Sequence, residues 1–331
     1  MQLSVDQRRF ALREAFVISR GARTVVETVE VRLADGDVTG RGECVPYTRY
    51  GESVQQVIGD LLKLAPALAS GLDREALQEA LPPGAARNAL DLAFWDLEAK
   101  QAGLRVWELP AYKALEGPWP EPVVSAYTLS IGTPEAMRDA AAIQADRPVL
   151  KVKLAGDATD IARIQAVREG APDARLVVDA NEGWSPEGYA AAADAMAAAG
   201  VEMIEQPIHA DRHEALRGMA RPVKLCADES CHARATLDAL EGLYDVVNIK
   251  LDKAGGLTEA LALRREALAR GFDVMVGCMM ASSLGIAPAV SLAVGASVID
   301  LDPPMLLGED RTPALTVEGS LVRPPLAALW G

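Results

Sequence analysis

The sequence predicts an α/β barrel preceded by a smaller α+β domain, and three observations carry that prediction. Between Leu150 and Lys250 lie five short apolar runs, each ending in charged residues: Leu150-Lys151-Val152-Lys153, Leu176-Val177-Val178-Asp179-Ala180-Asn181, Met203-Ile204-Glu205-Gln206-Pro207, Leu225-Cys226-Ala227-Asp228-Glu229-Ser230 and Val246-Val247-Asn248-Ile249-Lys250. Runs of this length mark strands buried on both faces, as in a parallel sheet. Their terminal charges Lys153, Asp179, Glu205, Asp228 and Lys250 are spaced by 26, 26, 23 and 22 residues, and each interval holds one strand, one helix and two loops. Residues 8–43, in contrast, read as antiparallel β-structure.

In the N-terminal part, Val25 to Leu33 alternates through its second half, and Asp35-Gly36 supplies a hairpin turn before Val38. Ser19-Arg20-Gly21-Ala22-Arg23-Thr24, short, polar and basic, reads as a loop. Residues 42–52 lead into helices at about 54–69 and 87–102, the second with Leu90, Phe94 and Leu97 on one face and Gly103 as its C-cap. Pro118, Trp119, Pro120 and Pro122 set a domain boundary: residues 1–118 form the first domain and 119–308 the barrel. Residues 309–331, with Pro313, Pro324 and Pro325, lose the βα rhythm and are expected to run back to the first domain.

The barrel reads Val123–Leu129 as strand one, 273–277 as strand seven and 298–302 as strand eight. Thr133-Pro134 and Ser185-Pro186 are N-cap and first-turn signals for the helices after strands one and three. A period near 25 residues also suits a leucine-rich solenoid, but no repeated consensus is present.

Composition narrows the function. A formal net charge of −14 over 331 residues excludes the basic footprint of a nucleic-acid partner. The N-terminus has no apolar signal region. Val274 to Ile299 carries no charge, yet Gly277, Pro288 and Gly295 interrupt it and acids flank it, so it reads as strand, helix and strand rather than a membrane span. The expectation is a cytoplasmic protein. Cys44, Cys226, Cys231 and Cys278 form no CxxC pair, and His209, His213 and His232 no metal motif.

Chemistry in such barrels sits at the C-terminal strand ends. Asp179, Glu205 and Asp228, on neighbouring strands, converge there, and an all-oxygen donor set prefers Mg²⁺ or Mn²⁺ over Zn²⁺. The alternative is three acids that cap the following helices. Lys151 and Lys153, two apart on one strand, face the same way. Mutual repulsion, burial and a nearby cation would depress a lysine pKa from ~10.4 to about 7, at a cost of roughly 4.6 kcal/mol. Lys250 on strand six stands opposite Lys153 on strand two. Two amines that face each other across a carboxylate can remove an α-proton from one face and return it on the other, and a cation stabilises the enediolate between; a lysine base working with Mg²⁺ is an established chemical pattern. Asp300 and Asp302 share a face of strand eight and either attract a cationic substrate group or remain solvated. Cys278, at the end of strand seven, is read as pocket wall.

These residues resemble the enolase superfamily, in its muconate-lactonising subgroup, and most closely its L-Ala-D/L-Glu type of dipeptide epimerase. The resemblance runs through Arg20-Gly21-Ala22-Arg23, Gly42 to Glu52, Lys151-Val152-Lys153, Asp179-Ala180-Asn181, Glu205-Gln206-Pro207, Asp228-Glu229-Ser230, Asn248 to Lys253 and Asp300-Leu301-Asp302. It implies a modified TIM barrel, (β/α)7β, under an α+β capping domain, with one βα unit irregular. It implies one Mg²⁺ on Asp179, Glu205 and Asp228, acid/base roles for Lys153 and Lys250, and tuning of Lys153 by Lys151. Asp300 and Asp302 would hold the dipeptide ammonium, and Arg20 or Arg23 the glutamate side chain. The implied substrate is L-Ala-D-Glu or L-Ala-L-Glu, a cell-wall peptide fragment, and superfamily members often form homo-oligomers. Cycloisomerisation, o-succinylbenzoate formation and N-acyl amino acid racemisation are the alternative reactions of the subgroup. A non-catalytic binding barrel should have lost members of the Lys, Asp, Glu, Asp, Lys set, and none is missing.

Overall fold

The computed structural model describes all 331 residues. Three antiparallel strands open the chain: β1 (Gln2–Ile18), β2 (Gly21–Asp35) and β3 (Val38–Cys44). Asp35 pairs with Val38 across the Asp35-Gly36 turn, and Gly36 takes the left-handed φ of 59° that the turn needs. Val29, Val31 and Leu33 bury their side chains with Leu90, Phe94 and Leu97 of the helix Ala85–Ala102. The helix lies directly on β3 because a Cβ at Gly42 would stand 2.0 Å from Ala89 O. The helix expected over 54–69 is two, Val54–Lys63 and Ala65–Ala69. Pro66, which lacks an N–H, breaks the hydrogen-bond ladder there.

The segment Ser19–Thr24 is not a loop. β1 and β2 keep pairing out to Val17↔Ala22 and Ile18↔Gly21, so it forms the tip of a long hairpin turning at Ser19-Arg20. Most side chains near the tip are solvent-exposed on both faces, and pairing without burial leaves no hydrophobic alternation in the sequence.

The expected first barrel strand is also divided. β4 (Val123–Val124) belongs to a separate small sheet, and only β5 (Tyr127–Leu129) enters the barrel. Ser125 separates them, its N–H donating to Ser320 O at 2.8 Å. The barrel continues through β6 (Val149–Lys153), β7 (Arg175–Asp179), β8 (Val201–Glu205), β9 (Lys224–Ala227), β10 (Val246–Ile249), β11 (Asp273–Val276) and β12 (Val298–Ile299), all parallel and in sequence order. Ala126 N–H donates to Ile299 O at 2.7 Å, drawing the two ends of the sheet together.

Helices Pro134–Ile143, Asp160–Gly170, Pro186–Ala198, Leu257–Ala269 and Ser283–Ala293 cover the outside. Thr133 and Ser185 cap the first and third through their hydroxyls, accepting from Ala136 N and Gly188 N. After β8 and β9 the connectors are 3-10 segments, Ala210–Leu216 and Arg234–Leu240, and β12 is followed only by the short turn Pro303–Leu306. No helix is long and apolar enough to cross a membrane; the uncharged stretch is β11, a helix and β12.

Strand periodicity builds the interior in layers. One buried cluster takes one residue from each strand or its edge: Ala126, Val149, Val177, Met203, Cys226, Val246, Met275 and Val298. Cys226 is therefore a core side chain. Two residues further along each strand, on the same face, stand Thr128, Lys151, Asp179, Glu205, Asp228, Asn248, Gly277 and Asp300. An apolar floor thus supports a ring of polar residues and one glycine.

Past Gly308 the chain returns to the first sheet and helix. β13 (Val317–Glu318) and β14 (Leu321–Val322) form the small sheet with β4. Arg311 reaches Glu30 at 2.8 Å and Glu43 at 3.2 Å. Trp330 is buried, its indole N–H donating to Leu92 O at 3.1 Å.

Candidate active site

The polar ring and the layer above it hold most of the residues singled out in the sequence. Asp179 and Glu205 are register partners on β7 and β8, and Asp228 directly follows β9. All three carboxylates are buried. Asp179 Oδ2 accepts from Lys153 Nζ at 2.6 Å, and its Oδ1 accepts from Asn181 N–H at 2.8 Å. Glu205 Oε2 lies 2.6 Å from Lys151 Nζ, while Asn248 Nδ2 donates to its Oε1 at 2.8 Å. Asp228 Oδ2 accepts from Lys250 Nζ at 2.6 Å. Lys153 at the end of β6 and Lys250 just after β10 thus hold acids at the two ends of one carboxylate row.

Lys151 also binds Asp300 Oδ2 at 2.7 Å and stands 3.3 Å from Asp179 Oδ2. Burial works against its charge, but Asp300, Glu205 and Asp179 outweigh burial and hold its pKa above the ordinary lysine value. Burial likewise opposes the charge of Lys250, and Asp228 and Glu205 again raise its pKa on balance. The downward shift expected of the Lys151/Lys153 pair beside a cation does not appear at Lys151 in the protein alone, because the acids around it outnumber the amines. Burial pushes Asp179 upward, but Lys153 and Lys151 bring it below the usual aspartate value; Asp228 is lowered by Lys250 and Lys253 against the same burial. Glu205 is raised by burial and by Asp179 despite Lys151.

The donor set suits a hard cation: three converging strand ends offer carboxylate oxygen only. No group of acids, histidines or cysteines forms a ready coordination shell as the side chains stand, since the ammoniums of Lys151, Lys153 and Lys250 occupy the carboxylate oxygens. Asp300 Oδ1 and Asn181 Oδ1 are buried without a hydrogen-bond partner.

A cavity of about 370 Å³ opens above this ring, lined among others by Lys153, Lys250, Asp302, Cys278, Arg20 and Arg23. The Cys278 thiol donates to Asp300 O at 3.3 Å and forms wall. Asp302 accepts from Thr128 N–H at 2.8 Å, and burial together with Asp300 pushes its pKa up to about 7. The two acids are not equivalent: Asp300 is ion-paired with Lys151, and Asp302 is not.

The hairpin tip closes the other side. Arg20 is bound to the molecule itself, reaching Glu229 Oε1 at 2.8 Å, Asn181 O at 3.1 Å and the Tyr47 hydroxyl at 3.1 Å. Arg23 lies over the Tyr47 ring, 5.3 Å from its centroid, and forms no ion pair. Burial and then Asp228 and Asp179 push Glu229 up to about 7. His213 meets Ser230 Oγ at 3.1 Å, and His209 stands 3.4 Å from Arg49; neither lines the cavity.

Sequence reasoning assigned no role to Glu229, Asn248 or Lys253. Asn248 was detectable, since it holds the same face of β10 as the floor residue Val246. Glu229 and Lys253 lie beyond strand ends, where no period applies.

Two family descriptions match the chain: mandelate racemase/muconate lactonizing enzyme, N-terminal domain, over residues 2–110, and enolase C-terminal domain-like over residues 135–325. The chain is 46% identical over 315 residues to an L-Ala-D/L-Glu epimerase of Escherichia coli (strain K12), covering 95% of this chain and 96% of that protein. It is 42% identical over 306 residues to an N-acetyl-D-glutamate racemase of Pseudoalteromonas sp, covering 92% and 95%. Among solved structures, an enolase family member from Agrobacterium tumefaciens with bound sodium and L-Ala-L-Glu superposes with a TM-score of 0.95 at 48% identity, covering 99% of each chain. A dipeptide epimerase from Enterococcus faecalis V583, complexed with Mg and L-Leu-L-Tyr, gives 0.89 at 28% identity, covering 98% of this chain and 96% of that one.

Proposed function

The chain belongs to the mandelate racemase/muconate lactonizing enzyme family of the enolase superfamily and is an isomerase, and on that footing we propose that it inverts the glutamate Cα of L-Ala-D/L-Glu by proton transfer between Lys153 and Lys250. One observation carries the reading: the two amines stand on opposed strands, line one cavity, and are each bound to a different member of one carboxylate row. One lysine, neutral, takes the α-proton, and the C–H electron pair enters the enediolate. The other, as ammonium, returns a proton to the opposite face. Lys151, whose amine lies within reach of three acids, stays charged and repels a proton held on Lys153.

Asp179, Glu205 and Asp228 would hold a divalent ion such as Mg²⁺. That ion supplies positive charge for the substrate carboxylate as the enediolate forms. Arg23, which pairs with no acid, is the arginine available to the glutamate side chain, while Arg20 fixes the hairpin tip through Glu229 and Asn181. The acids Asp300 and Asp302 face the dipeptide ammonium. The same proposal places the enzyme in cell-wall peptide metabolism in the cytoplasm.

A second reading, racemisation of an N-acylated glutamate, is favoured by Asp302. A neutral carboxyl there would donate to an acyl oxygen, whereas an ionised one would hold an ammonium, and its pKa of about 7 permits both.

With Mg²⁺ in D₂O, the glutamate Hα signal of L-Ala-L-Glu should vanish as L-Ala-D-Glu appears in the NMR spectrum. Absence of both changes across a panel of acidic and apolar dipeptides would overturn the epimerase reading. Exchange confined to N-acetylglutamate would establish the second.

A further inference from the structure

Asp228 is gripped from behind by a lysine that never reaches the cavity. Lys253 is buried, and its ammonium donates to Asp228 Oδ1 at 2.5 Å, Asp228 O at 2.5 Å and Asn248 O at 3.0 Å. An ammonium has three N–H groups, and all three are used. Lys253 is absent from the cavity lining that contains Lys151, Lys153 and Lys250. It can neither touch substrate nor pass on a proton through that wall.

Its position is built into the fold. After β10 the chain makes the helical turn Leu251–Ala254, closed by Gly255 at φ 79°, which folds Lys253 back beneath Asp228. Arg87, from the first domain's long helix, donates to Ala254 O at 2.7 Å and Gly255 O at 3.0 Å. The turn is thereby held at its exit. Meanwhile Gln206 Oε1 accepts from the N–H groups of Asp228 at 2.9 Å and Ser230 at 3.0 Å, so the backbone of Asp228 is fixed on its other side.

The charges give this grip a further meaning. Asp179, Glu205 and Asp228 together carry three negative charges, one more than a divalent ion neutralises. Lys151 is shared between this row and Asp300, and Lys153 and Lys250 exchange protons in the proposed reaction, whereas Lys253 has no second acid of its own and takes no part in that transfer. We propose that Lys253 is a positioning residue that fixes the Asp228 carboxylate and, as a permanent charge behind it, sets the ion site's effective charge to suit a divalent rather than a trivalent cation. The inference rests on the proposed reading of the three acids as ion ligands.

Coulomb energy scales with the product of charges. Removing the lysine charge therefore favours every cation at the site, and a trivalent ion more than a divalent one. Loss of side-chain order alone would weaken both alike. The ratio of Tb³⁺ to Mg²⁺ affinity separates the two effects.

The test measures Mg²⁺ binding by calorimetry and Tb³⁺ binding by the luminescence that Mg²⁺ displaces, without substrate, in wild type, K253M, K253Q and K253R; E205Q supplies the background from surface acids. The Tb³⁺/Mg²⁺ affinity ratio should rise about tenfold or more in a folded neutral variant and return towards wild type in K253R. A ratio within twofold of wild type would overturn the role of Lys253, as would unfolding of both neutral variants while K253R folds. Wild-type protein that binds neither ion above the E205Q background would instead overturn the ligand assignment itself.

Discussion

Lys151 Nζ lies 2.7 Å from Asp300 Oδ2 and 2.6 Å from Glu205 Oε2, so one ammonium bridges the acids of β8 and of the β12 end. The acid pair opposite the carboxylate row is consequently unequal: Asp300 is ion-paired with Lys151, and Asp302 carries the charge that a substrate ammonium would meet. Asp302→Asn should lower kcat/KM for L-Ala-L-Glu about tenfold to hundredfold, mainly through KM, as loss of a charge-assisted hydrogen bond does. Asp300→Asn should lower kcat as well, because it removes one of the three acids that hold Lys151. Steady-state kinetics on both variants checks this, and equal KM effects with unchanged kcat would refute the inequality.

Asp302 also predicts a pH dependence. With its carboxyl pushed up to about 7, ammonium binding should strengthen, and kcat/KM for the dipeptide rise, as pH increases through about 7; turnover of an N-acyl glutamate should fall over the same range. The fold binds this proton more tightly than the unfolded chain does. Its contribution to stability is therefore lost as pH rises from the ordinary aspartate value towards about 7. Glu229 has a similar raised pKa, so the limb is assigned to Asp302 only if it disappears in Asp302→Asn.

The opposed lysines should separate the two half-reactions. Lys153→Ala and Lys250→Ala are each expected to reduce epimerisation by about a thousandfold or more. Each should still exchange the α-proton of one diastereomer in D₂O, and the two variants should prefer opposite ones. NMR of L-Ala-L-Glu and L-Ala-D-Glu measures this directly; identical preference in both variants would argue for a single face.

At the hairpin tip, Arg23→Met should raise KM for L-Ala-L-Glu about tenfold or more, with little change for a dipeptide whose second side chain is neutral. Arg20→Met should affect both substrates, since it releases Glu229 and Asn181 rather than a substrate group. Reversed selectivity between the two variants would exchange their roles.

Arg311 predicts a purely structural effect. Its guanidinium binds Glu30 and Glu43 and donates to Ser282 Oγ at 2.8 Å. Arg311→Met leaves Glu43 buried without a cation, while Glu30 keeps Arg32 at 2.8 Å, and should cost about 3 kcal/mol in urea unfolding. A loss below about 0.5 kcal/mol would show that Ser282 alone satisfies Glu43.

The sequence reveals the carboxylate row and its flanking lysines because each charge ends an otherwise apolar strand, and strand period places them on one face. Lys151, Asp179, Glu205 and Asp228 follow from that rule alone. It also predicts the capped helices, since Thr133-Pro134 and Ser185-Pro186 act within one turn. It does not distinguish Arg20 from Arg23, because the difference depends on Glu229, which meets the arginine only through the fold. Nor does it reveal Lys253: its direction depends on a turn held by Arg87, remote in sequence. The hairpin tip was misread for a related reason, as backbone pairing there is not accompanied by burial. The lysine pKa direction was likewise unreadable, since it reflects a balance of three acids that only the assembled ring brings together.

Arg87 has a consequence for engineering by domain shuffling. Its two hydrogen bonds to Ala254 O and Gly255 O make the first domain part of the scaffold beneath Lys250 and Lys253, rather than an interchangeable cover. A chimera that imports a foreign first domain without an arginine at this place would alter the barrel's reactive amines along with its selectivity. Grafting the hairpin tip alone, residues 19–24, leaves that support in place.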